Sequence, residues 1–385
     1  MALSPASQLA TYSERFYSQF VLAQLINTDW RPDFENGKGG TTNIQIFHPG
    51  LTGKGSDIGS VDGRKLKSTN IAALMEQYYG AVSLSSIEQT TLVEDFEKAI
   101  EPTLASHIYD IEMDIRNIIN SAVSHVSLFD PARSTLPDIV AQVIGLVKSN
   151  SLESQVNVAM SPELMSVMAS KLLDKFNAST PALDAFEGRI RRWQGASDIG
   201  ASIAMTGFST GNVPASLAID APSSPTDTLT LTTATTNAFA KGTISINLGK
   251  IGYDPIRKAT GKDLIVVNAE DIPVGGTTFK LSFILTPGVT CSALPSAGEK
   301  LVTEQANKTY GEIYVFRKGA IGGRAGVLSG HSVGKLNVLP KNGGIPVRRW
   351  QFSEGQQDVE TVRFDVLFAA APVYPVGVAK ILVPM

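Results

Sequence analysis

Residues 91–126, TLVEDFEKAIEPTLASHIYDIEMDIRNIINSAVSHV, carry one apolar stripe: Leu104, Ile108, Ile111, Ile115, Ile118, Ala122 and Val126 step by three and four. That spacing stacks side chains on one face of an α-helix. Pro102 fits the first turn of such a run, where its missing N–H costs nothing. About 25 residues at 1.5 Å each predict a rod of roughly 37 Å, longer than the average globular helix. The stretch reads as a structural spine. Glu112 and Asp114, two residues apart, point about 200° apart on a helix and cannot share one reacting atom. His107 and His125 are separated by five turns, and His48 and His331 fall in other segments, so there is no i, i+4 histidine pair for zinc. The histidines read as surface or hydrogen-bonded residues.

Ahead of the spine, residues 36–67 hold eight glycines around one short alternating run, Ile44 to Phe47, without a helical period. This predicts a long β-type loop or hairpin, and loops of that length are usually functional or disordered. Lys38, Lys54, Arg64, Lys65 and Lys67 stand there against Asp57 and Asp62, so the loop either reaches an acidic neighbour or is simply solvated. A phosphate cradle fails on spacing: His48 stands where the first glycine of a P-loop belongs before Gly53, and in GKDL (261–264) Asp263 takes the magnesium-binding hydroxyl's place. Further upstream, Tyr12, Phe16, Phe20 and Leu22 recur near helical spacing among polar residues, as in an amphipathic arm that needs a partner surface. The first 25 residues lack a basic segment followed by an apolar run, and nowhere do 18 apolar residues run together. The expectation is a chain that neither uses that secretory route nor spans a membrane.

Beyond the spine, SQVNVAM (154–160) alternates as a strand. SPELMSVMASKLLDKF (161–176) opens with a serine cap and a proline at the first helical position, then sets Leu164, Val167, Met168 and Leu172 on one side. Its methionines read as core filler. After Pro214 the composition turns to Ser, Thr, Pro and Asp. TDTLTLTTATTN (226–237), GTISINLG (242–249), DLIVVNA (263–269) and TFKLSFIL (278–285) then predict an all-β lobe over 215–298. A short helical piece is expected near 297–308, then a strand at GEIYVF (311–316). In the tail, Val362, Phe364, Val366 and Phe368 alternate with Arg363, Asp365 and Leu367 before a nearly continuous apolar strand, which reads as buried sheet.

With 385 residues, 43% of them hydrophobic and only 18% charged, the chain has ample apolar surface to hide in two or three lobes and between subunits. Its 33 Lys+Arg against 36 Asp+Glu, net −3, lack the surplus that a phosphate-backbone binder uses to release counterions. Cys291 is alone, so no internal disulfide or thiolate metal cluster forms, and a reducing compartment is the inference. A hydrolase or transferase would need a nucleophile, a base and an orienting group, yet there is no Gly–x–Ser–x–Gly elbow. One cluster stands out, AFEGRIRRWQG (185–195), where Arg189, Arg191 and Arg192 adjoin Trp193. Arginine and aromatic residues concentrate in interface centres. The alternative is a solvated helix or turn surface.

The order of elements is an amphipathic arm, a glycine-rich loop, a spine helix, a mixed lobe, an inserted β lobe and terminal strands. It resembles the major capsid proteins of tailed bacteriophages, with the Hong Kong 97 capsid fold. More narrowly, DAFEGRIRRWQGASDIGASIAMTGFSTGNVP (184–214) is similar to a stretch of the coat proteins of short-tailed enterobacterial phages. The likeness rests on Phe186–x–Gly188–Arg189–Ile190, Asp198, an alternating strand, the pair Gly207–Phe208, and Asn212–x–Pro214 just before an inserted β domain. Glu187 departs from that pattern by shifting the glycine one place.

The resemblance implies an α+β fold divided into an N-terminal helical arm (1–33), an extended loop (34–75), a peripheral and axial α+β region with the spine (76–214), an inserted β domain (215–298) and a return to the core sheet (299–385). It implies a non-enzymatic structural subunit, without cofactor or metal, that self-assembles through hexamers and pentamers into a procapsid and then an expanded capsid. Its partners would be other copies of itself, a scaffolding protein, a portal protein and packaged double-stranded DNA bound without sequence specificity. Assembly would take place in the bacterial cytoplasm and the product would be the virion head. Candidate inter-subunit contacts are then Phe16 and Phe20 on the arm, Lys38, Lys54, Arg64, Lys65 and Lys67 on the loop, and Arg189, Arg191, Arg192 and Trp193 in the cluster. A β-rich tail component or adhesin would account for the Thr-rich lobe but not for the spine or the loop.

Overall fold

The spine forms. In the computed structural model Phe96–Ser121 is one helix of 26 residues, about 39 Å long at 1.5 Å per residue. The structure describes residues 20–28, 41–47, 68–85, 96–123, 125–129, 131, 134–149, 155–173, 196–205, 207–209, 228–232, 234–235, 238, 244–250, 263–267, 270–280, 302–303, 309–326, 336–338, 345–354, 359–373 and 377–385. The helix starts earlier than the apolar stripe indicates, so Pro102 lies inside it and not in its first turn, at the cost of one i→i−4 hydrogen bond. Leu104, Ile108, Ile111, Ile115 and Ala122 of the stripe are buried, and Ile119 rather than the half-buried Ile118 continues it. Because 3.6 residues make a turn, a strict three-four pattern drifts around the cylinder, and the buried line passes to the next residue. Val126 has left the helix for a strand.

In chain order the elements are α1 (Leu22–Leu25), β1 (Thr41–Phe47), β2 (Ser68–Leu74), β3 (Glu76–Ser85), α2 (Phe96–Ser121), β4 (His125–Leu128), α3 (Leu136–Ser149), β5 (Val156–Met160), α4 (Pro162–Leu173), β6 (Asp198–Ala201) and β7 (Phe208–Ser209). There follow β8 (Thr228–Thr230), β9 (Ile244–Lys250), β10 (Asp263–Val267), β11 (Thr278–Lys280), β12 (Val302–Thr303), β13 (Thr309–Arg317), β14 (Ile321–Gly326), β15 (Leu336–Val338), β16 (Val347–Glu354), β17 (Val359–Pro372) and β18 (Val378–Pro384). The fold is α+β. The glycine-rich stretch is framed by β1 and β2, which pair as a two-stranded sheet; residues 48–67 between them lie outside the described residues.

The chain divides into two compact units. One comprises Met1–Ile44, Ala72–Ile115 and Gly322–Ala371. Its sheet runs β14-β17-β16-β15, with β3 also on β17. The β3–β17 ladder is antiparallel from Val359↔Ser85 to Phe368↔Glu76. Val362, Phe364, Val366 and Phe368 are buried, as their alternation predicts, but so is Asp365, at 0% exposed. The alternation marks a face and does not by itself say that the opposite face is wet.

The other unit comprises Gln45–Ile71, Arg116–Ile321 and Pro372–Met385. Its six-stranded sheet has the order β4-β18-β13-β5-β6, with β7 on β13. The β18–β13–β5 core is antiparallel, while β4 joins β18 and β6 joins β5 in parallel. One face packs Val156, Val158, Met160, Ile313, Val315, Ala379, Ile381 and Val383 against Val140, Val143, Ile144 and Val147 of α3 and Leu164, Met165, Met168 and Leu172 of α4. Ser161 caps α4 as its sequence predicts, its Oγ accepting from the Leu164 N–H at 3.2 Å. Val167 does not join that apolar side; it is 48% exposed, and Met165 is buried in its place.

The described part of the family-like stretch builds the sheet margin: β6 pairs Asp198 with Asn157, and Phe208 pairs with Tyr310. Gly207 is required there, because a Cβ would stand 2.6 Å from the Tyr310 carbonyl oxygen. In the Thr-rich region β8 pairs with β11, and β9 is flanked by β10 and β12. That sheet therefore takes its third strand from beyond residue 298. Val302 and Thr303 are strand, which overturns the helical piece expected at 297–308: two β-propensity residues opposite Ile244 and Ser245 gain a ladder that a short isolated helical turn does not offer. A turn with Gly275 at φ 79°, left-handed and suited to glycine, leads into β11.

The helix packing makes a direct contrast testable. Ile115→Ala, at 0% exposed, is expected to cost about 2–5 kcal/mol, whereas Val167→Ala should stay within about 0.5 kcal/mol as a surface change. Urea or guanidinium midpoints of the two variants check the ordering.

Candidate functional site

Ten of the sequence-derived contact candidates, Phe16, Lys38, Lys54, Arg64, Lys65, Lys67, Arg189, Arg191, Arg192 and Trp193, lie outside the described residues, as do His48, His331 and Cys291. Phe20 is described, and it is buried at 2% exposed: its ring packs within its own chain, so it has little area to offer a neighbour. What the structure brings together instead is charge, in one buried cluster in each unit.

In the first unit Asp365 is the centre. The β16–β17 register sets Arg348 opposite Asp365, and Arg363 two residues away shares its face. Asp365 Oδ2 accepts from Arg348 Nε at 3.0 Å and Nη2 at 2.6 Å, and Oδ1 accepts from Arg363 Nε at 2.6 Å and Gln77 Nε2 at 3.1 Å. Four donors on one carboxylate compensate its removal from water. The Arg363 guanidinium lies 4.1 Å from the ring centroid of Tyr79, a cation–π stack on a ring 62% exposed. Trp350 and Phe352, both half-buried, tilt against each other with centroids 5.1 Å apart. Strand alternation places them with Arg348, Arg363 and Tyr79 on one face.

The carboxylates of α2 serve different partners, as their spacing requires. Glu112, 1% exposed, accepts from the Val21 and Leu22 N–H groups at 2.5 and 2.8 Å and so caps α1, which has no cap of its own. Asp114 accepts from the Tyr78 hydroxyl at 2.7 Å. Burial first, then the Asp114 hydrogen bond, push the Tyr78 hydroxyl well above the usual phenol range. His107 is buried at 2% exposed. Burial pulls its imidazole down to about 4, against the opposing pull of Asp365 and a hydrogen bond with the Tyr78 backbone.

In the second unit Lys380 (0% exposed), Glu312 (1%) and Arg116 form a triad. The β13–β18 register sets Tyr314 opposite Lys380 and Glu312 opposite Leu382, so the charged side chains share the face turned away from α3 and α4. Glu312 Oε1 meets Lys380 Nζ at 2.6 Å, and its Oε2 meets Arg116 Nη2 at 2.5 Å. The Tyr314 hydroxyl donates to Oε2 at 3.1 Å, and Asn120 Oδ1 lies 3.4 Å from Lys380 Nζ. Burial pushes the Glu312 carboxyl up, but the Lys380 and Arg116 charges overcome it and hold the group below its usual value. Burial and the Glu312 charge raise the Tyr314 hydroxyl well above its ordinary range.

Sequence reasoning passed over these residues, although signals exist. Arg116 and Asn120 sit four apart on one helical face, and Glu312 and Lys380 each interrupt an apolar strand, where an unpaired charge would be prohibitive. Among the described residues no group of three or more His, Cys, Asp or Glu is placed to hold a metal ion, and no helix is long and apolar enough to cross a membrane.

No protein-family model matches the chain, and no curated protein matches it. Solved structures do. The capsid of Ralstonia phage GP4 is similar at TM-score 0.48 and 9% identity, covering 93% of this chain and 86% of that one. The capsid structure of the cyanophage P-SCSP1u matches at TM-score 0.47 and 10% identity, covering 95% and 88%. A chain from Mycobacterium phage Che8 matches at TM-score 0.44 and 12% identity, covering 94% and 91%.

Two outcomes follow from the buried charges. Asp365→Ala strands two guanidinium groups and is expected to cost about 3–5 kcal/mol in denaturant titrations, as for a broken buried pair. His107 is held at about 4 when folded against 6.5 unfolded. Between those values the unfolded chain binds the proton first, so stability is full above about pH 6.5 and falls toward pH 4, by at most about 3 kcal/mol. His107→Gln should flatten that window in pH-dependent denaturation.

Proposed function

We propose that this chain is the major capsid subunit of a tailed phage, a structural protein of the Hong Kong 97 fold type that self-assembles into an icosahedral head around double-stranded DNA. The observation that carries the reading is the element order around α2. A paired two-stranded loop precedes the 26-residue rod, and after the Thr-rich β region the C-terminal β17 and β18 return into sheets with β3 and β4. The phage-coat-like stretch at 184–214 adds a sequence likeness that includes β6, Gly207 and Phe208. Capsids are also what the Ralstonia phage and cyanophage structures are described as.

On this reading the working parts are a rigid tile and its reaching segments. The buried charge clusters fix strand to strand and helix to sheet inside the tile. The arm (1–33), the loop (34–75) with Lys38, Lys54, Arg64, Lys65 and Lys67, and the cluster of Arg189, Arg191, Arg192 and Trp193 make the grips between copies, in hexamers and pentamers. The region 215–298 is the inserted β domain, and 76–214 with 299–385 form the peripheral and axial core. Many weak grips add reversibly during growth, and their number makes the closed shell stable. Net charge −3 suits a container that encloses DNA without gripping its sequence. A scaffolding protein and a portal complete the expected set, with assembly in the host cytoplasm and the virion head as destination. No catalytic step is assigned to the subunit in this role.

Expression alone or with a candidate scaffolding protein, followed by gradient sedimentation and negative-stain microscopy, is expected to give closed megadalton shells. Arg189→Glu with Arg192→Glu should lower shell yield while the soluble subunit keeps its unfolding midpoint. Fibres, open rings, or a monomer that never assembles with any helper would overturn the reading.

A further inference from the structure

We propose that the open face of the first unit's sheet binds an acidic polysaccharide, with Arg363 as the receptor for a sugar carboxylate and Tyr79, Trp350 and Phe352 as stacking surfaces. The registers Tyr79↔Asp365 between β3 and β17, and Arg363↔Trp350 and Thr361↔Phe352 between β17 and β16, set these residues on one face, since opposite members of a ladder point the same way. Tyr79 is 62% exposed. Gln77, Ala81 and Ser83 beside it are exposed, and Trp350 and Phe352 are half-buried. Arg363 is held ready for an anion. Its Nε donates to Asp365 Oδ1 at 2.6 Å, and its guanidinium carbon lies 4.1 Å from the Tyr79 ring centroid. No described residue accepts from its two terminal nitrogens, and its side chain is 25% exposed. A carboxylate on one side and a ring on the other thus orient a fork that pairs with two oxygens of an incoming carboxylate.

Charge sets the sign of the occupant. Over 77–83, 348–352 and 361–367 this face carries Arg348, Arg363 and Asp365 as its only charged positions, which leaves one positive charge in surplus; Glu354 falls beyond that stretch, at the end of β16. One surplus cation is too few for a nucleic acid, whose phosphates need a run of them. A protein partner is disfavoured by the layout. Tyr79 is separated from Trp350 and Phe352 by β17, which contributes Thr361 and Arg363 there, so the rings do not merge into the continuous apolar core of a stable interface. A sugar chain suits separated rings. Each pyranose presents a flat C–H face to an aromatic ring and hydroxyls around its rim, and Gln77, Ser83 and Thr361 offer carboxamide and hydroxyl partners on the same face. The strands of Tyr79 and Trp350 are two spacings apart, about 10 Å, so the face takes an oligomer and not a single ring.

Isothermal titration of the purified full-length protein with oligogalacturonate, compared with dextran, poly-glutamate and oligothymidylate, tests this without requiring shell assembly, so it succeeds or fails apart from the capsid reading. The expected result is that oligogalacturonate binds, dextran does not, and the other two polyanions bind more weakly or not at all. Arg363→Lys, which keeps a cation beside Asp365 and with it the unfolding midpoint, is expected to weaken binding about tenfold, the size of one charge-assisted contact. Tyr79→Ala, a change at an exposed position, should weaken binding to a similar degree, so the test survives an arginine variant that fails to fold. Absence of oligogalacturonate binding overturns the proposal, as does unchanged affinity in Tyr79→Ala. Equal or tighter binding of poly-glutamate or oligothymidylate overturns it in favour of a protein or a nucleic acid, and equal binding of dextran removes the role assigned to Arg363 and overturns it too.

Discussion

A charge taken out of water must bring its partner with it, and this constraint organises both units. Asp365 is buried only because β16 and β17 hold two guanidinium groups and Gln77 approaches from β3. Glu312 is buried only because β18 and α2 each contribute a cation. Such clusters are weak evidence for net stability, since apolar residues of similar volume often do as well. Their value is positional. A hydrophobic face tolerates small slips of register, but a carboxylate with four donors does not.

The second consequence is a division of labour between faces. In the six-stranded sheet one face packs an apolar cluster against α3 and α4, and the other carries Glu312, Lys380, Tyr314 and Asn157. The apolar face supplies driving force at roughly 25 cal/mol per Å² buried; the polar one supplies uniqueness. In the other unit's sheet, Phe364 and Val366 alternate with Asp365 in the same way.

Much of this was legible in the sequence. The spine, α4 with its Ser161 cap, β5, β13 and the tail strands follow from periodicity and capping chemistry, which are local. The failures are non-local. Val302 and Thr303 become strand because β9 offers them a ladder, and no window around 297–308 contains β9. Alternation puts Asp365 on the face opposite Phe364 and Val366 but does not show why it is buried, because besides Arg363 its donors lie 17 and 288 residues away in sequence. Val167 was placed on the apolar side because a hydrophobic residue near the stripe is indistinguishable by type from one on it, and only the packing of α4 separates it from Met165. The arginine cluster at 189–192 attracts attention through composition, whereas Arg116, Glu312 and Lys380 are single charges whose meaning appears only when three distant segments meet.

If the chain is the container subunit proposed above, the triad bears on how such a subunit reconciles two demands. Reversible growth requires contacts between copies to be shallow, so that misplaced subunits leave again; survival under internal load requires each tile not to open. Those demands conflict only if one kind of interaction serves both. Among the described residues the buried pairings of Glu312 with Lys380 and Arg116 and of Asp365 with Arg348 and Arg363 lie inside the chain, where they cannot oppose dissociation of a neighbour.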